Sequence, residues 1–168
     1  MNDKLTIVFM GVSGSGKTTM ALRTARYLCC EPVIEADAYH SPQMKAKMAA
    51  GVPLNDDDRW PWLESLNRAI RESTSANTVV TCSALKKIYR ERLLSDVRGD
   101  VRFLFLDAPK DIIHNRMVAR SHEFMPVSLL DSQFDTLERP EGESFVTTIS
   151  VAGSEDETFA RIQEALRR

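Results

Sequence analysis

The sequence predicts an α/β fold in which a parallel β-sheet carries helices on both faces. Short apolar runs alternate with amphipathic stretches along all 168 residues, and neither a repeat nor a low-complexity tract interrupts them. Two of the runs, residues 5–10 and 101–106, are predominantly apolar, as expected of strands buried on both faces. Strands that alternate with helices form parallel sheets with right-handed crossovers.

Each element follows from its local pattern. Strand-like runs occupy residues 5–10, 32–36, 78–82, 101–106 and 144–149. Apolar residues at helical spacing follow each strand, and the helix before the third strand is predicted to start near Pro61. The helical stripes are Ala21, Ala25, Leu28 and Cys29; Leu63, Leu66 and Ile70; Tyr89, Leu93 and Leu94; Ile113 and Met117; and Phe159, Ile162 and Leu166.

Composition excludes several function classes. The 22 basic and 24 acidic residues give a net charge of −2, which lacks the basic footprint of a nucleic-acid-binding protein. The first apolar run is too short for a signal-peptide core or a membrane span, so we expect a cytoplasmic protein without a membrane partner. The three cysteines, Cys29, Cys30 and Cys82, suit reduced thiols better than a disulfide framework or a zinc site. The length of residues 1–168 suits a single domain.

Ligands of parallel α/β sheets bind beyond the carboxyl ends of the strands, and a phosphate-binding motif follows the first strand. Residues 11–18 match G-x-x-x-x-G-K-[ST], the P-loop pattern, between a strand and a helix. Its glycines let backbone N–H groups converge on phosphates, and the following helix adds N-terminal donors. Lys17 supplies charge at the β- and γ-phosphates of ATP, and the Thr18 hydroxyl is a ligand for Mg²⁺. The predicted nucleotide-binding residues are Gly11, Ser13, Gly14, Ser15, Gly16, Lys17, Thr18, Thr19 and Arg116.

GTPases, ATPases and small-molecule kinases all share this motif. No N-K-x-D guanine motif is present, and the only D-x-x-G, residues 96–99, follows a predicted helix rather than a strand. Asp107 ends the fourth strand, where it is either a carboxylate for the metal or a helix cap. A small-molecule kinase is therefore favoured, with a nucleotide-binding module that transfers nothing as an alternative.

Acceptor residues are expected after the second strand. Asp37 stands at its carboxyl end, where it is either the base that receives the acceptor's proton or a turn aspartate. Further on, Asp56, Asp57 and Asp58 suit a helix N-terminus, whereas Arg59 lies at that helix's unfavourable positive end. Because a planar guanidinium matches a carboxylate, Arg59 is a candidate for binding an acidic acceptor.

Longer blocks carry a family resemblance. Residues 53–63 read Pro-Leu-x-Asp-x-Asp-Arg-x-Pro-Trp-Leu, residues 82–86 read Cys-Ser-Ala-Leu-Lys, and residues 124–126 read Phe-Met-Pro. With the P-loop and Asp37, these blocks resemble the gluconate kinases of the shikimate-kinase-like branch of P-loop kinases. The resemblance implies a five-stranded sheet of order 2-3-1-4-5, a nucleoside-monophosphate-kinase-like architecture with a lid at about residues 121–127, and a homodimer. It also implies Mg²⁺-dependent phosphorylation of gluconate by ATP at the 6-hydroxyl.

The resemblance assigns roles to individual positions. Asp37 becomes the base that orients the 6-hydroxyl, and His40 and Arg59 fall in the acceptor pocket. Ser83 and Lys86 would line the same cleft from the end of the third strand. A kinase for another sugar acid or for shikimate is the alternative within this chemistry.

The lid is expected to carry further charge. Arg116 and Arg120 are four residues apart on a predicted helix and so share a face, from which Arg120 would neutralise the transferring phosphoryl group. The chain departs from the family pattern in three places: Ala36 stands where glycine is often found, Met44 stands where many members have asparagine, and the pair His122–Glu123 stands where Gly-His is common.

Overall fold

The computed structural model describes residues 4–119, 126 and 128–168. Within these residues, five strands form one sheet, accompanied by seven α-helices and a short 3-10 helix, Ala36–Tyr39. The strands are β1 (Leu5–Met10), β2 (Ile34–Glu35), β3 (Asn77–Thr81), β4 (Asp100–Asp107) and β5 (Val146–Ser150). The helices are α1 (Lys17–Tyr27), α2 (Pro42–Ala49), α3 (Asp56–Glu72), α4 (Lys87–Leu94), α5 (Lys110–Ala119), α6 (Leu129–Thr136) and α7 (Glu155–Arg167).

The sheet has the order β2-β3-β1-β4-β5, and all of its strand pairs are parallel. The predicted fold class and strand order are therefore confirmed. β1 lies at the centre, with Val8 level with Val80 of β3 on one side and Phe103 of β4 on the other. This placement puts the chain that follows β1 in the middle of the sheet's carboxyl edge, where the P-loop begins.

Two apolar cores cover the two faces of the sheet. Successive side chains of a strand point to opposite faces, so Ile7 packs with the α1, α5 and α7 side, whereas Val8 packs with the α3 and α4 side. Thr6 and the four residues Ile7 to Met10 are all at most 1% exposed, as expected for a central strand covered on both faces.

The second strand and the start of α3 differ from the predictions. β2 spans Ile34–Glu35 rather than residues 32–36, because it is an edge strand that pairs only with β3 and the chain then turns into the 3-10 helix. Helix α3 begins at Asp56 rather than near Pro61, because Asn55 and Asp58 form a capping box there. Pro61 therefore lies inside the helix. Because proline has no N–H group, the carbonyl of Asp57 lacks its helical hydrogen bond, and both residues are exposed.

Two further helices, α2 and α6, were not predicted. Ser41 caps α2 by accepting a hydrogen bond from the Met44 amide at 3.2 Å, and Pro42 occupies its first position. In both helices the buried residues are few, Met44 and Met48 in α2 and Leu129 and Leu130 in α6, so the periodicity is weak. Both helices pack against the cleft described next.

Candidate active site

The P-loop joins β1 to α1 in a conformation that requires glycine at two close approaches. Gly11 has φ 142°, and a Cβ there would lie 3.0 Å from the carbonyl oxygen of Leu106. Gly14 has φ 78°, and its Cβ would lie 3.1 Å from Met117 Cγ. A side chain at either point would be strained by the positive φ and would also push against the backbone of β4 or the side chains of α5, so the loop keeps its curl most easily with glycine there.

The start of α1 presents hydrogen-bond donors to the cleft. Gly16 is the N-cap and, in the described part of the chain, no side chain caps the helix, so the first-turn amides lack such an acceptor. Lys17, Thr18 and Thr19 of this turn line the cavity. Unpaired amides and the positive end of a helix dipole together favour a bound phosphate.

Lys17 points its charge into the same region. Its Nζ donates hydrogen bonds to the carbonyl oxygens of Gly11, at 3.1 Å, and Val12, at 2.9 Å. An ammonium group has three hydrogens, so one donor remains for a ligand. Burial lowers the pKa of Lys17, and the negative charge of Asp37 opposes that effect. Asp37 thus acts on the P-loop lysine electrostatically, as expected if both face one ligand.

The cavity has a volume of about 620 Å³ and lies at the carboxyl edge of the sheet. Of the predicted site residues, it brings together Ser13, Gly14, Gly16, Lys17, Thr18, Thr19, Asp37, His40, Arg59 and Ser83. Gly11 and Ser15 belong to the loop beneath the cavity rather than to its lining. Arg116 and Lys86 are not lining residues either. Arg120 and, apart from Pro126, the predicted lid lie outside the described residues.

Asp37 and His40 stand on the 3-10 helix that follows β2. The Asp37 carboxylate is 70% exposed, whereas the His40 side chain is 6% exposed, with Nδ1 3.9 Å from Asp37 Oδ1. The His40 ring packs on Trp62, with centroids 4.8 Å apart, and Trp62 Nε1 donates to the carbonyl oxygen of Ala36 at 2.8 Å. Burial lowers the pKa of His40, an effect that Asp37 opposes and Lys45 and Arg59 reinforce. The Trp62 indole therefore fixes this turn against α3.

Arg59 lies in the first turn of α3 and lines the cavity. Its Nη1 donates to the hydroxyl of Tyr89 at 3.2 Å, and its guanidinium carbon lies 5.3 Å from the centre of the Tyr89 ring. Lys86, which the sequence placed in the pocket, instead directs Nζ to Asp56 Oδ1 at 3.1 Å. Among the predicted cations of the acceptor end, Arg59 is thus the one that borders the cavity.

Three side-chain contacts were not predicted from the sequence. Gln133 of α6 accepts a hydrogen bond from the Ser13 amide at 2.7 Å, which ties the P-loop to α6. Arg90 is fully buried and donates hydrogen bonds both to the Glu143 carboxylate and to the Ala84 carbonyl in the segment after β3. Asp107, considered as a metal carboxylate or a helix cap, accepts hydrogen bonds from Arg139 at 3.1 and 2.7 Å. Gln133 and Arg90 join segments far apart in sequence, so no local pattern indicates them.

A second depression, of about 800 Å³, lies near the opposite edge of the sheet. It is lined by exposed charges of both signs on α3 and the turn before β4, among them Arg68, Glu72 and Asp96. Neither the P-loop nor any residue that follows a strand's carboxyl end borders it. The cleft over the P-loop is therefore the candidate active site.

The sheet, the P-loop and the cavity between the P-loop and Asp37 define a P-loop kinase. The family described as an AAA domain matches residues 6–140. A thermosensitive gluconokinase of Escherichia coli (strain K12) is 44% identical over 138 residues, which cover 81% of this chain and 73% of that protein. The chain belongs to the gluconokinase family.

Solved structures agree with this membership. A gluconokinase from Sinorhizobium meliloti 1021 is 41% identical with a TM-score of 0.82, over 96% of this chain and 95% of that one. An unliganded sugar kinase from Janibacter sp. HTCC2649 is 41% identical with a TM-score of 0.87, over 98% of this chain and 95% of that one. The similarity thus extends over nearly the whole length of both proteins, including the acceptor side of the cleft.

Proposed function

We propose that this protein transfers the γ-phosphate of ATP to the 6-hydroxyl of gluconate, forming ADP and 6-phosphogluconate. The observation that carries the proposal is one cavity bordered by Lys17 and the amide end of α1 on one side and by Asp37, His40 and Arg59 on the other. Membership of the gluconokinase family supports the choice of acceptor.

The phosphate side holds and neutralises the nucleotide. The P-loop amides and the start of α1 bind phosphate oxygens, and Lys17 brings its remaining donor and its charge to the group that is transferred. We propose that Arg116 and Arg120, which precede the predicted lid of residues 121–127, add positive charge near the transferred phosphoryl group. Positioned cations of this kind stabilise the charge of the transition state.

The residues present also fit a magnesium ion. Thr18 lines the cavity next to Lys17, and its hydroxyl can supply one oxygen ligand. No cluster of three or more His, Cys, Asp or Glu able to hold a metal occurs among residues 4–119, 126 and 128–168. This donor set suits Mg²⁺, which keeps several waters and binds mainly through substrate phosphates. When bound, the ion would offset charge on the β- and γ-phosphate oxygens.

On the acceptor side, Asp37 is positioned to orient the 6-hydroxyl and to receive its proton. Its carboxylate is exposed to the cavity and lies close enough to Lys17 to affect that lysine's pKa. The neighbouring His40 borders the same space and can hydrogen-bond a sugar hydroxyl. Arg59 presents a planar pair of N–H donors to the gluconate carboxylate. Ser83 lines the same cavity.

A coupled assay of ADP release tests the proposal. Mg²⁺-ATP would be supplied with gluconate, its epimers, shikimate, glucose or no acceptor, and we expect release to require gluconate. Asp37→Asn should lower kcat about 10²- to 10⁴-fold while ATP binding stays within about twofold, because only proton transfer and orientation are lost. Asp57→Asn is the matched control, since this exposed carboxylate lies in the first turn of α3 and does not line the cavity. Unchanged turnover in Asp37→Asn would remove Asp37 from the mechanism.

We further propose that the chain works as a single-domain homodimer in the cytoplasm. Among the described residues, no helix is long and apolar enough to cross a bilayer. Sedimentation equilibrium of the purified protein tests the assembly, and a mass of one chain of 18.9 kDa at micromolar concentration would contradict the dimer.

A further inference from the structure

We propose that Tyr89, Asp56 and Lys86 form a positioning network that holds the Arg59 guanidinium in place for the carboxylate of the acceptor. This inference rests on the proposed function, because it assigns to the three residues a task at the acceptor end of the same cavity. None of the three is a lining residue of that cavity, so they act through Arg59 rather than on the substrate.

The network is continuous across two helices. Arg59 and Asp56 lie in the first turn of α3, whereas Lys86 occupies the N-cap position of α4 and Tyr89 lies in that helix's first turn. Arg59 Nη1 donates to the Tyr89 hydroxyl at 3.2 Å, and that hydroxyl donates to Asp56 Oδ1. Lys86 Nζ lies 3.1 Å from the same Asp56 oxygen. The Tyr89 ring also underlies the guanidinium, at 5.3 Å.

The charges define the direction of each hydrogen bond. A tyrosine hydroxyl has one hydrogen, so donating it to Asp56 turns the oxygen lone pairs toward Arg59. The hydrogen bond from Tyr89, followed by that from Lys86, lowers the pKa of Asp56, which keeps this carboxylate ionised. Burial and the bond to Asp56 raise the pKa of Tyr89, which keeps the hydroxyl protonated. The arrangement therefore persists over the neutral pH range.

The network also explains why the charge of Arg59 is not paired with a neighbouring carboxylate. Three acids directly precede it in sequence, yet Asp58 binds Lys47, at 2.7 and 2.9 Å, and takes part in the capping box of its own helix. Asp56 is occupied by Tyr89 and Lys86. Across the part of the chain that the structure describes, no carboxylate lies within 4.0 Å of the Arg59 nitrogens. A neutral hydroxyl fixes the guanidinium without neutralising it, so its charge stays available to the acceptor.

The decisive variant is Tyr89→Phe, which keeps the ring beneath Arg59 and removes only the hydroxyl. We expect the KM for gluconate to rise about 5- to 20-fold, with kcat and the KM for ATP within about twofold. This is less than the roughly 10- to 150-fold effect of losing a direct hydrogen bond to a charged ligand, because Tyr89 acts only through Arg59. Tyr27→Phe is the matched control, because Tyr27 is 49% exposed and packs on Phe159, away from the cleft. It should match the wild type in all three constants.

A double-mutant cycle separates positioning from general packing. In an Arg59→Ala background, Tyr89→Phe should raise the KM for gluconate no further, because the group through which it acts is gone. Lys86→Gln, a change at a partly exposed side chain that should fold normally, is expected to raise the same KM about 2- to 5-fold, and only when Arg59 is present.

The outcomes distinguish this inference from the proposed function. If Arg59→Ala leaves the KM for gluconate unchanged, the carboxylate role of Arg59 and the network built on it both fail. If Arg59→Ala raises that KM but neither Tyr89→Phe nor Lys86→Gln does, the network alone is overturned. Effects of Tyr89→Phe and Lys86→Gln that persist in full without Arg59 would also overturn it.

Discussion

Replacing Arg90 with methionine tests how far the acceptor side of the cleft depends on one buried ion pair. Arg90 is 0% exposed, and its guanidinium binds both carboxylate oxygens of Glu143, at 2.9 and 2.5 Å. It also donates to the carbonyl oxygens of Ala84, at 2.8 Å, Leu85, at 3.1 Å, and Glu138, at 3.1 Å. These contacts tie α4 to the segment after β3 and to the chain that precedes β5.

The magnitude follows from what the substitution leaves behind. Methionine fills much of the volume, but it abandons a carboxylate that is only 8% exposed and three carbonyl groups. Removing one partner of a buried ion pair costs about 3–5 kcal/mol, since the remaining charge stays uncompensated. In a domain of this size each kcal/mol shifts Tm by about 2–4 °C, so we expect a fall of roughly 6–20 °C.

Thermal and urea denaturation followed by circular dichroism would measure the loss. The double variant Arg90→Met/Glu143→Met should recover at least about half of it, because two apolar side chains replace a buried pair at little cost. At a temperature where the single variant is folded, kcat should also fall, since Ala84, which has φ 44°, adjoins Ser83 of the cavity wall. A Tm within 2 °C of the wild type would refute the reasoning.

Two further predictions concern titration. Burial lowers the pKa of His40 below its unfolded value of about 6.5, so the contribution of neutral His40 to stability is complete above that pH and is lost as the pH falls toward the folded pKa. Urea midpoints measured between pH 8 and 5 should therefore fall more steeply for the wild type than for His40→Gln, and parallel curves would contradict this. Burial raises the pKa of Cys82 to about 12 and also raises that of Cys30, whereas Cys29 is exposed. A disulfide reagent at pH 8 should therefore modify only Cys29 rapidly in the native protein but all three cysteines in urea, and two rapidly modified thiols in the native protein would contradict this.

The sequence predicted the fold and the centre of the site because their signals are local. The alternation of apolar runs identified the parallel sheet, and the P-loop pattern placed Lys17 at the start of the helix that follows β1. Residues that follow parallel strands meet at the carboxyl edge of the sheet, so the sequence alone predicts Asp37 and Ser83 near Lys17. The structure places all three on one cavity, although their chemical roles stay predictions.

Contacts between distant segments could not be predicted in the same way. Gln133 reaches Ser13 across 120 positions, and Arg90 reaches Glu143 across 53. Nothing in the neighbouring residues distinguishes either side chain from a solvated polar residue on a helix. Lys86 was misplaced for a related reason: position along the chain locates its backbone near the cleft, but the partner of its ammonium, Asp56, depends on how α3 packs on α4.

The start of α3 shows how Arg59, the proposed carboxylate-binding residue, can occupy an unfavourable place in a helix. A cation in the first turn opposes the helix dipole by about 0.3–1 kcal/mol. The capping box of Asn55 and Asp58 contributes about 1 kcal/mol in the other direction, and the acids Asp56 and Asp57 occupy the same turn. The helix therefore tolerates Arg59 there. The acidic run that reads as an ordinary helix start thus has two effects: it stabilises α3, and through Asp56 it anchors the tyrosine on which Arg59 rests.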